Sequence, residues 1–199
     1  MTETLIRQLI DRVASRVIAA HEELTLLDRQ IGDGDHGLNM KRGFEAVLAQ
    51  VDQVAAKPLP DALKAIGNTL VMKVGGASGP LYGTLFINLG KGLSGRPDLQ
   101  QFARALEVAI GAIKRLGKSE PGYKTMLDVL VPVQQLIGAG GADLPSRVTA
   151  AAAEAAQSTV PMKAVRGRAS FLGDRSIGHM DPGARSSQII VTSICEVLS

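Results

Sequence analysis

Between positions 28 and 39 the chain reads Asp28-Arg-Gln-Ile-Gly-Asp33-Gly-Asp35-His36-Gly-Leu-Asn39. Three carboxylates, an imidazole and an amide fall within twelve residues, with glycines at 32, 34 and 37. Carboxylates this close repel one another, and a hard cation such as Mg²⁺, which takes oxygen ligands, relieves the repulsion. The glycines let the backbone bend so that several side chains converge. A solvated acid-rich turn or helix cap is the competing reading, weakened by the apolar helical pattern that follows directly. His36 has candidate roles as phosphate donor, general base or phosphocarrier, against a plain loop histidine capping backbone groups. Its helix-start position favours phosphate contact, and the neighbouring acids favour a charged imidazole.

Gly75-Gly-Ala-Ser-Gly-Pro80 is a second constellation, a small-residue turn feeding a helix start. Backbone N–H groups and the helix dipole bind anions there, phosphate above all. Ser78 is expected as N-cap and extra hydroxyl donor, with Pro80 in the first turn; Gly79 is expected to let the backbone approach a phosphate. Glycine-rich turns are also common plain connectors, but Mg²⁺ and a polyphosphate often share a site. Other motifs fail. A Walker A loop ending at Gly117-Lys118-Ser119 needs glycine at position 112, which is Ala112. An EF-hand starting at Asp33 needs glycine at 38 and glutamate at 44, where Leu38 and Phe44 stand. One cysteine and three scattered histidines argue against zinc.

The elements that must position these groups read as helices almost throughout. Leu5, Leu9, Val13 and Val17 repeat at i+4. Further helices are expected over Leu38–Gln53, from Pro60-Asp61 to Gly75-Gly76, from Ser78 to about Leu93, from Pro97-Asp98 to near Gly117, after Pro121-Gly122 as far as Gly138, over alanine-rich Leu144–Thr159, and from Asp181-Pro182 to the C-terminus. No strand pattern of comparable quality occurs. Val160–Met180 lacks periodicity and holds Lys163, Arg166, Arg168, Asp174, Arg175 and His179. An irregular stretch of that length in a compact helical domain is often functional; otherwise it is a solvated basic loop. Lys73, Lys124, Arg166, Arg168 and Arg175 are candidate phosphate partners, with Arg168, between Gly167 and Ala169, the foremost.

At 199 residues and 45% apolar content, one domain spanning 1–199 with a sizeable core is expected. A net charge of +3 suits an acidic small-molecule ligand and is too weak to argue for nucleic acid; 3% aromatics and no tryptophan speak against base stacking. Cys195 is alone and reads as a core thiol. Charges at Glu3, Arg7, Asp11 and Arg12 argue against a signal-peptide core, and no apolar run reaches spanning length. A cytoplasmic protein without a membrane partner is expected.

Asp28-x4-Asp33-x-Asp35-His36-Gly-x-Asn39-Met, Gly75-Gly-Ala-Ser-Gly-Pro-Leu-Tyr-Gly-Thr84, Gly167-Arg-Ala-Ser-x-Leu-Gly173 and Arg175-Ser-Ile-Gly-His-x-Asp181-Pro-Gly183 resemble the dihydroxyacetone kinase nucleotide-binding family across nearly the whole chain. The length resembles its free-standing, phosphotransferase-dependent branch. The resemblance implies an all-α closed barrel of about eight antiparallel helices with ADP/ATP and two Mg²⁺ ions at one end. It carries metal ligation onto Asp28, Asp33 and Asp35, and nucleotide contacts onto His36, Gly37, Leu38, Asn39, Ala77, Ser78, Gly117, Met126, Arg168, Asp181, Pro182 and Gly183, with no covalent catalytic residue and Arg168 as phosphate stabiliser. It further implies a kinase partner subunit holding dihydroxyacetone and a phosphohistidine donor protein of the phosphotransferase system. Tyr123 departs from the family, which often has aspartate there. The alternatives are an ATP-exchanging subunit of a related sugar kinase, and a nucleotide-sensing protein that binds a transcription regulator and catalyses nothing.

Overall fold

The computed structural model describes residues 1–199 and contains helices without strands. Ten α-helices follow in chain order: α1 (Glu3–Ala19), α2 (His21–Ile31), α3 (His36–Leu48), α4 (Val51–Ala55), α5 (Leu59–Lys73), α6 (Ser78–Gly92), α7 (Leu99–Gly117), α8 (Leu127–Ala139), α9 (Leu144–Ser158) and α10 (Pro182–Leu198). A 3-10 helix, Arg168–Ser176, lies between α9 and α10.

Eight of the helices close a ring. α1 packs on α3, α3 on α5, α5 on α6, and so on in sequence to α10, which returns to α1. Each carries an apolar stripe that no single neighbour covers, and closure buries these stripes, most of them in a core containing Val17, Leu24, Met40, Phe44, Leu70, Tyr82, Ile113 and Leu127, and that of α9 in a second cluster shared with α8 and α10. Mostly short connections make ring neighbours antiparallel. One end of the barrel therefore gathers the N-termini of α3, α6, α8 and α10. At the other end an apolar hollow of about 410 Å³ lies among Phe44, Leu63, Phe86, Phe102, Ile194 and Leu198.

Two close approaches set the wall. A side chain at Gly67 would meet the Gly83 carbonyl at 2.8 Å, and one at Gly83 would meet the Gly67 carbonyl at 2.9 Å, so α5 and α6 pack backbone to backbone. The alanines of α9 serve the same end, with Ala152 and Ala156 buried against Val129 and Val133 of α8 and Val191 of α10.

The two extra helices lie outside the ring. α2 has its own period in Leu24, Leu27 and Ile31, and packs on α3 and α10 at the end where the four N-termini meet. The expected helix Leu38–Gln53 instead breaks at Ala49-Gln50, because turning there lets Val54 and Ala55 of α4 bury against α1 and α5. Asp181 caps α10 as its Asp-Pro signal predicts, accepting from Ala184 N, and Asp98 caps α7, accepting from Gln101 N. Ser78 does not cap α6. Ala77 is the N-cap, and the serine is the first helical residue. No helix is long and apolar enough to cross a membrane.

Candidate functional site

Asp28 sits in the last turn of α2, one turn beyond Leu24 on the same buried face, and is itself 8% exposed. Its Oδ2 accepts from the backbone N–H groups of Asp35 (2.9 Å) and His36 (3.1 Å). The carboxylate of one helix thus caps the next, while Asp35, the formal N-cap of α3, makes no side-chain cap bond. Both bonds fall on Oδ2, so Oδ1 faces the turn. A side chain at Gly32 would strike that Oδ1, and Gly34 has φ +77°, a conformation favouring glycine. The turn is bent so that one carboxylate oxygen each from Asp28, Asp33 and Asp35 lies within 4.8 Å of the others. This donor set is all carboxylate oxygen, partly dehydrated on the Asp28 side, and fits a hard divalent cation. The Arg168 guanidinium reaches Asp33 at 2.9 Å, delivering one positive charge from the 3-10 segment to the acids.

His36 is 7% exposed and both ring nitrogens meet hydroxyls, Nδ1 at Ser78 Oγ (2.9 Å) and Nε2 at Ser186 Oγ (3.0 Å). Ser186 donates to the Pro182 carbonyl at 2.9 Å. Its oxygen is then left to accept from Nε2–H, and the Ser78 hydroxyl donates to Nδ1. Burial lowers the His36 pKa, outweighing Asp28 and Asp35. The expected charged imidazole is therefore corrected to a neutral one that clamps α3, α6 and α10 together. Tyr82 completes the clamp, its hydroxyl meeting Ser186 (2.7 Å), Ser187 (2.9 Å) and the Gly183 carbonyl (3.1 Å); burial pushes its pKa up to about 12.

The glycine turn comes to the same place. Asn39 Oδ1 accepts from Arg42 (2.9 Å), whose Nε donates to the Lys73 carbonyl (2.7 Å), and a side chain at Gly75 would press on Asn39. Gly79 has a cause within the chain itself: a side chain there would strike the Val74 carbonyl, inside the chain's own connector. Gly37 likewise lets α3 pass α2, at His21 and Thr25. Ala77 and Ser78 open α6, and Leu38 stands 56% exposed on the first turn of α3. A side chain on Gly117, the last residue of α7, would lie 3.5 Å from Leu81 in the first turn of α6.

Between α7 and α8 the backbone turns through positive φ at Lys118, Gly122 and Lys124. Asp128 holds this loop, accepting from Thr125 N at 2.6 Å and from Gly122 N. Buried Met126 is the N-cap of α8 and adjoins Gly183. The half-buried Asp181 carboxyl is pushed up to about 7, first by burial; the Ala184 N–H bond opposes this, Asp128 adds to it, and Lys124 and Asp28 follow with lesser and opposite effects. Lys124 itself is corrected. It is 1% exposed, and its ammonium donates to the Thr159 (2.9 Å), Met162 (3.1 Å) and His179 carbonyls, so it is withdrawn from solvent-borne phosphate. Arg166 and Arg175 are exposed on the segment, and Lys73 on the end of α5.

The residues singled out from sequence therefore lie at one end of the barrel. Sequence reasoning missed Ser186, Tyr82, Thr159 and Asp128. Two adjacent serines on the otherwise apolar side of α10 were the available signal for Ser186, and Thr125-x-x-Asp128 was the signal for the loop cap. Tyr82 lies inside the Gly75–Thr84 motif, but nothing local marks the role of its hydroxyl.

Three comparisons fit this geometry. The profile of the DAK2 domain family matches residues 30–196. The chain is 48% identical over 174 residues to the PEP-dependent dihydroxyacetone kinase ADP-binding subunit DhaL of Escherichia coli K12, covering 83% of this chain and 82% of that one. It is 44% identical to the corresponding subunit of kinase 1 of Listeria innocua, covering 88% and 86%. D-erythrulose kinase of Mycolicibacterium smegmatis is 34% identical over 98% of this chain but only 35% of its own length. The native crystal structure of the dihydroxyacetone kinase of C. freundii superposes with a TM-score of 0.81 at 22% identity, covering 97% of this chain and 34% of that one, which establishes the shared barrel. The chain belongs to the DAK2 domain family, the nucleotide-binding family of the dihydroxyacetone kinases.

Proposed function

We propose that this chain is the nucleotide-binding subunit of a dihydroxyacetone kinase. It holds ADP/ATP with two Mg²⁺ ions as a resident coenzyme, which takes phosphate from a phosphohistidine on a donor protein of the phosphotransferase system and passes it to dihydroxyacetone held on a partner subunit. The observation that carries this reading is the Asp28, Asp33 and Asp35 cluster at the end where four helix N-termini meet. Such N-termini favour phosphate oxygens, and the carboxylates favour the cations that accompany them.

When bound, the cations would neutralise charge on the phosphates. The chain's own residues do the rest. Asp28, fixed by two backbone bonds, anchors the metal ligands. The first-turn amides of α6 at Ser78 would bind the phosphates, and His36 holds that turn against α3 and α10. Arg168 brings a guanidinium whose forked donors suit phosphate oxygens. Gly117, Met126, Asp181, Pro182 and Gly183 would supply further nucleotide contacts. Phosphoryl transfer needs mainly positioning and charge, so no covalent residue is required. The relatives named D-erythrulose kinase and triokinase/FMN cyclase speak for the alternative of a related sugar kinase, but this chain matches only about a third of each, against 82% of the Escherichia coli subunit.

Native mass spectrometry of the purified chain tests the proposal. Retained ADP with two Mg²⁺ is the expected result. A nucleotide-free protein that binds and releases ATP rapidly would favour the exchanging kinase.

A further inference from the structure

Lys124 is a charged side chain sealed inside a helical protein, and the function proposed above gives it no task. Its surroundings do. The ammonium donates to the carbonyls of Thr159, at the end of α9, of Val160 (3.5 Å) and Met162 just beyond it, and of His179, just before α10. These acceptors are the two feet of the segment between α9 and α10. Neighbouring bonds tie the same feet, Gly178 N donating to the Val160 carbonyl at 2.8 Å and Asp181 N to Thr159 Oγ1 at 3.1 Å, while Val165 N, donating to the Tyr123 carbonyl at 3.2 Å, joins the segment to the loop that carries Lys124. Beyond the feet, Ala164, Ala169 and Leu172 pack on Ile31 at the end of α2, and Arg168 reaches Asp33.

An ammonium is suited to this place. It offers three donors, and carbonyl oxygens have lone pairs to spare. A buried charge is tolerated only when so satisfied, and in a water-poor setting its hydrogen bonds are strong. Methionine, nearly the same length, would fill the space and bind no carbonyl.

We propose that Lys124 is a positioning residue: it pins both feet of the Val160–Met180 segment and so holds Arg168 over the acidic cluster. The consequence for nucleotide rests on the function proposed above; the consequence for the segment does not. Lys124 acts through Arg168, so the two residues are coupled although no direct contact joins them.

The test uses the full chain with Lys124→Met, Arg168→Ala and the double variant. Amide exchange without nucleotide is expected to rise at least tenfold at Val165 and Gly178 in Lys124→Met, with α5 and α6 unchanged. The ADP·Mg off-rate is expected to rise at least tenfold in each single variant, and in the double variant no further than in Arg168→Ala alone. Passive packing by Lys124 would leave its effect undiminished in the Arg168→Ala background. Unchanged exchange in the segment, or additive off-rates, overturns the proposal. Should Lys124→Met not fold, Lys124→Gln, which keeps one amide donor group, is read in the same way. Failure of the wild-type chain to hold ADP·Mg counts against the proposed function, and exchange alone then decides the pin.

Discussion

His36 Nδ1 stands 2.9 Å from Ser78 Oγ, and this bond fastens the acidic turn before α3 to the glycine turn before α6. Both ring nitrogens of His36 are engaged, and the ring is buried. A phosphocarrier histidine needs a free nitrogen reachable by its donor; this one has neither. After incubation with the phosphorylated donor protein and Mg²⁺, the new phosphate is expected on the nucleotide as bound ATP. Stoichiometric acid-labile phosphate on His36 would overturn the assignment. Ser78→Ala is expected to weaken ADP only modestly, by about 1 kcal/mol, since the α6 backbone donors remain.

The three aspartates are expected to separate under substitution. Asp35→Asn and Asp33→Asn should each lower ADP·Mg affinity at least tenfold, about 1.4 kcal/mol, with the helical circular dichroism unchanged. Asp33 also loses its partner Arg168, but that pair is solvent-exposed and costs little. Asp28→Ala should additionally lower thermal stability, because Asp28 caps α3 through two backbone bonds and alanine offers no acceptor. Calorimetry showing unchanged ADP·Mg affinity in the Asp33 and Asp35 variants would remove the metal assignment.

Asp181 makes stability depend on pH. Its carboxyl is pushed from an ordinary 3.8 to about 7 in the folded chain. Between those values the folded state keeps a proton that the unfolded chain has released, so stability falls as pH rises; the contribution is complete below 3.8 and lost above about 7. Asn at 181 still caps α10 but cannot ionise. Urea unfolding in chelator without nucleotide should show a shallower slope for Asp181→Asn across this window, by up to about 1.4 kcal/mol per pH unit. Parallel curves for the two proteins would show that Asp181 titrates normally.

Phe171 is 89% exposed on the 3-10 segment that carries Arg168. On the proposed function, an aromatic ring in that position suits an anchor for the partner subunit that would receive the phosphate. Phe171→Ser is expected to leave ADP retention intact while lowering the activity of the reconstituted kinase at limiting partner concentration, through a raised apparent Kd. Full activity at every partner concentration would place the docking surface elsewhere.

Helix content and most ring helices were legible in the chain, because a stripe of apolar residues at helical spacing is a local pattern. Thr2, Asp98 and Asp181 cap their helices by bonds spanning three residues, which a linear reading can anticipate. The convergence of Asp28, Asp33 and Asp35 was also local, set by glycines at 32 and 34. What only the tertiary structure decided lay in contacts between distant segments. α2 was hidden because its short apolar period of Leu24, Leu27 and Ile31 is interrupted by Asp28, which belongs to the site. His36 looked charged from its acidic neighbours, yet α6 and α10 bury it, and desolvation outweighs charges a few residues away. Lys124 looked like one more surface cation; the feet of a segment 35 to 55 residues further on turned it inward. Sequence spacing specifies which groups can be near their neighbours, whereas burial and the partner of a charge depend on what the closed barrel brings against them.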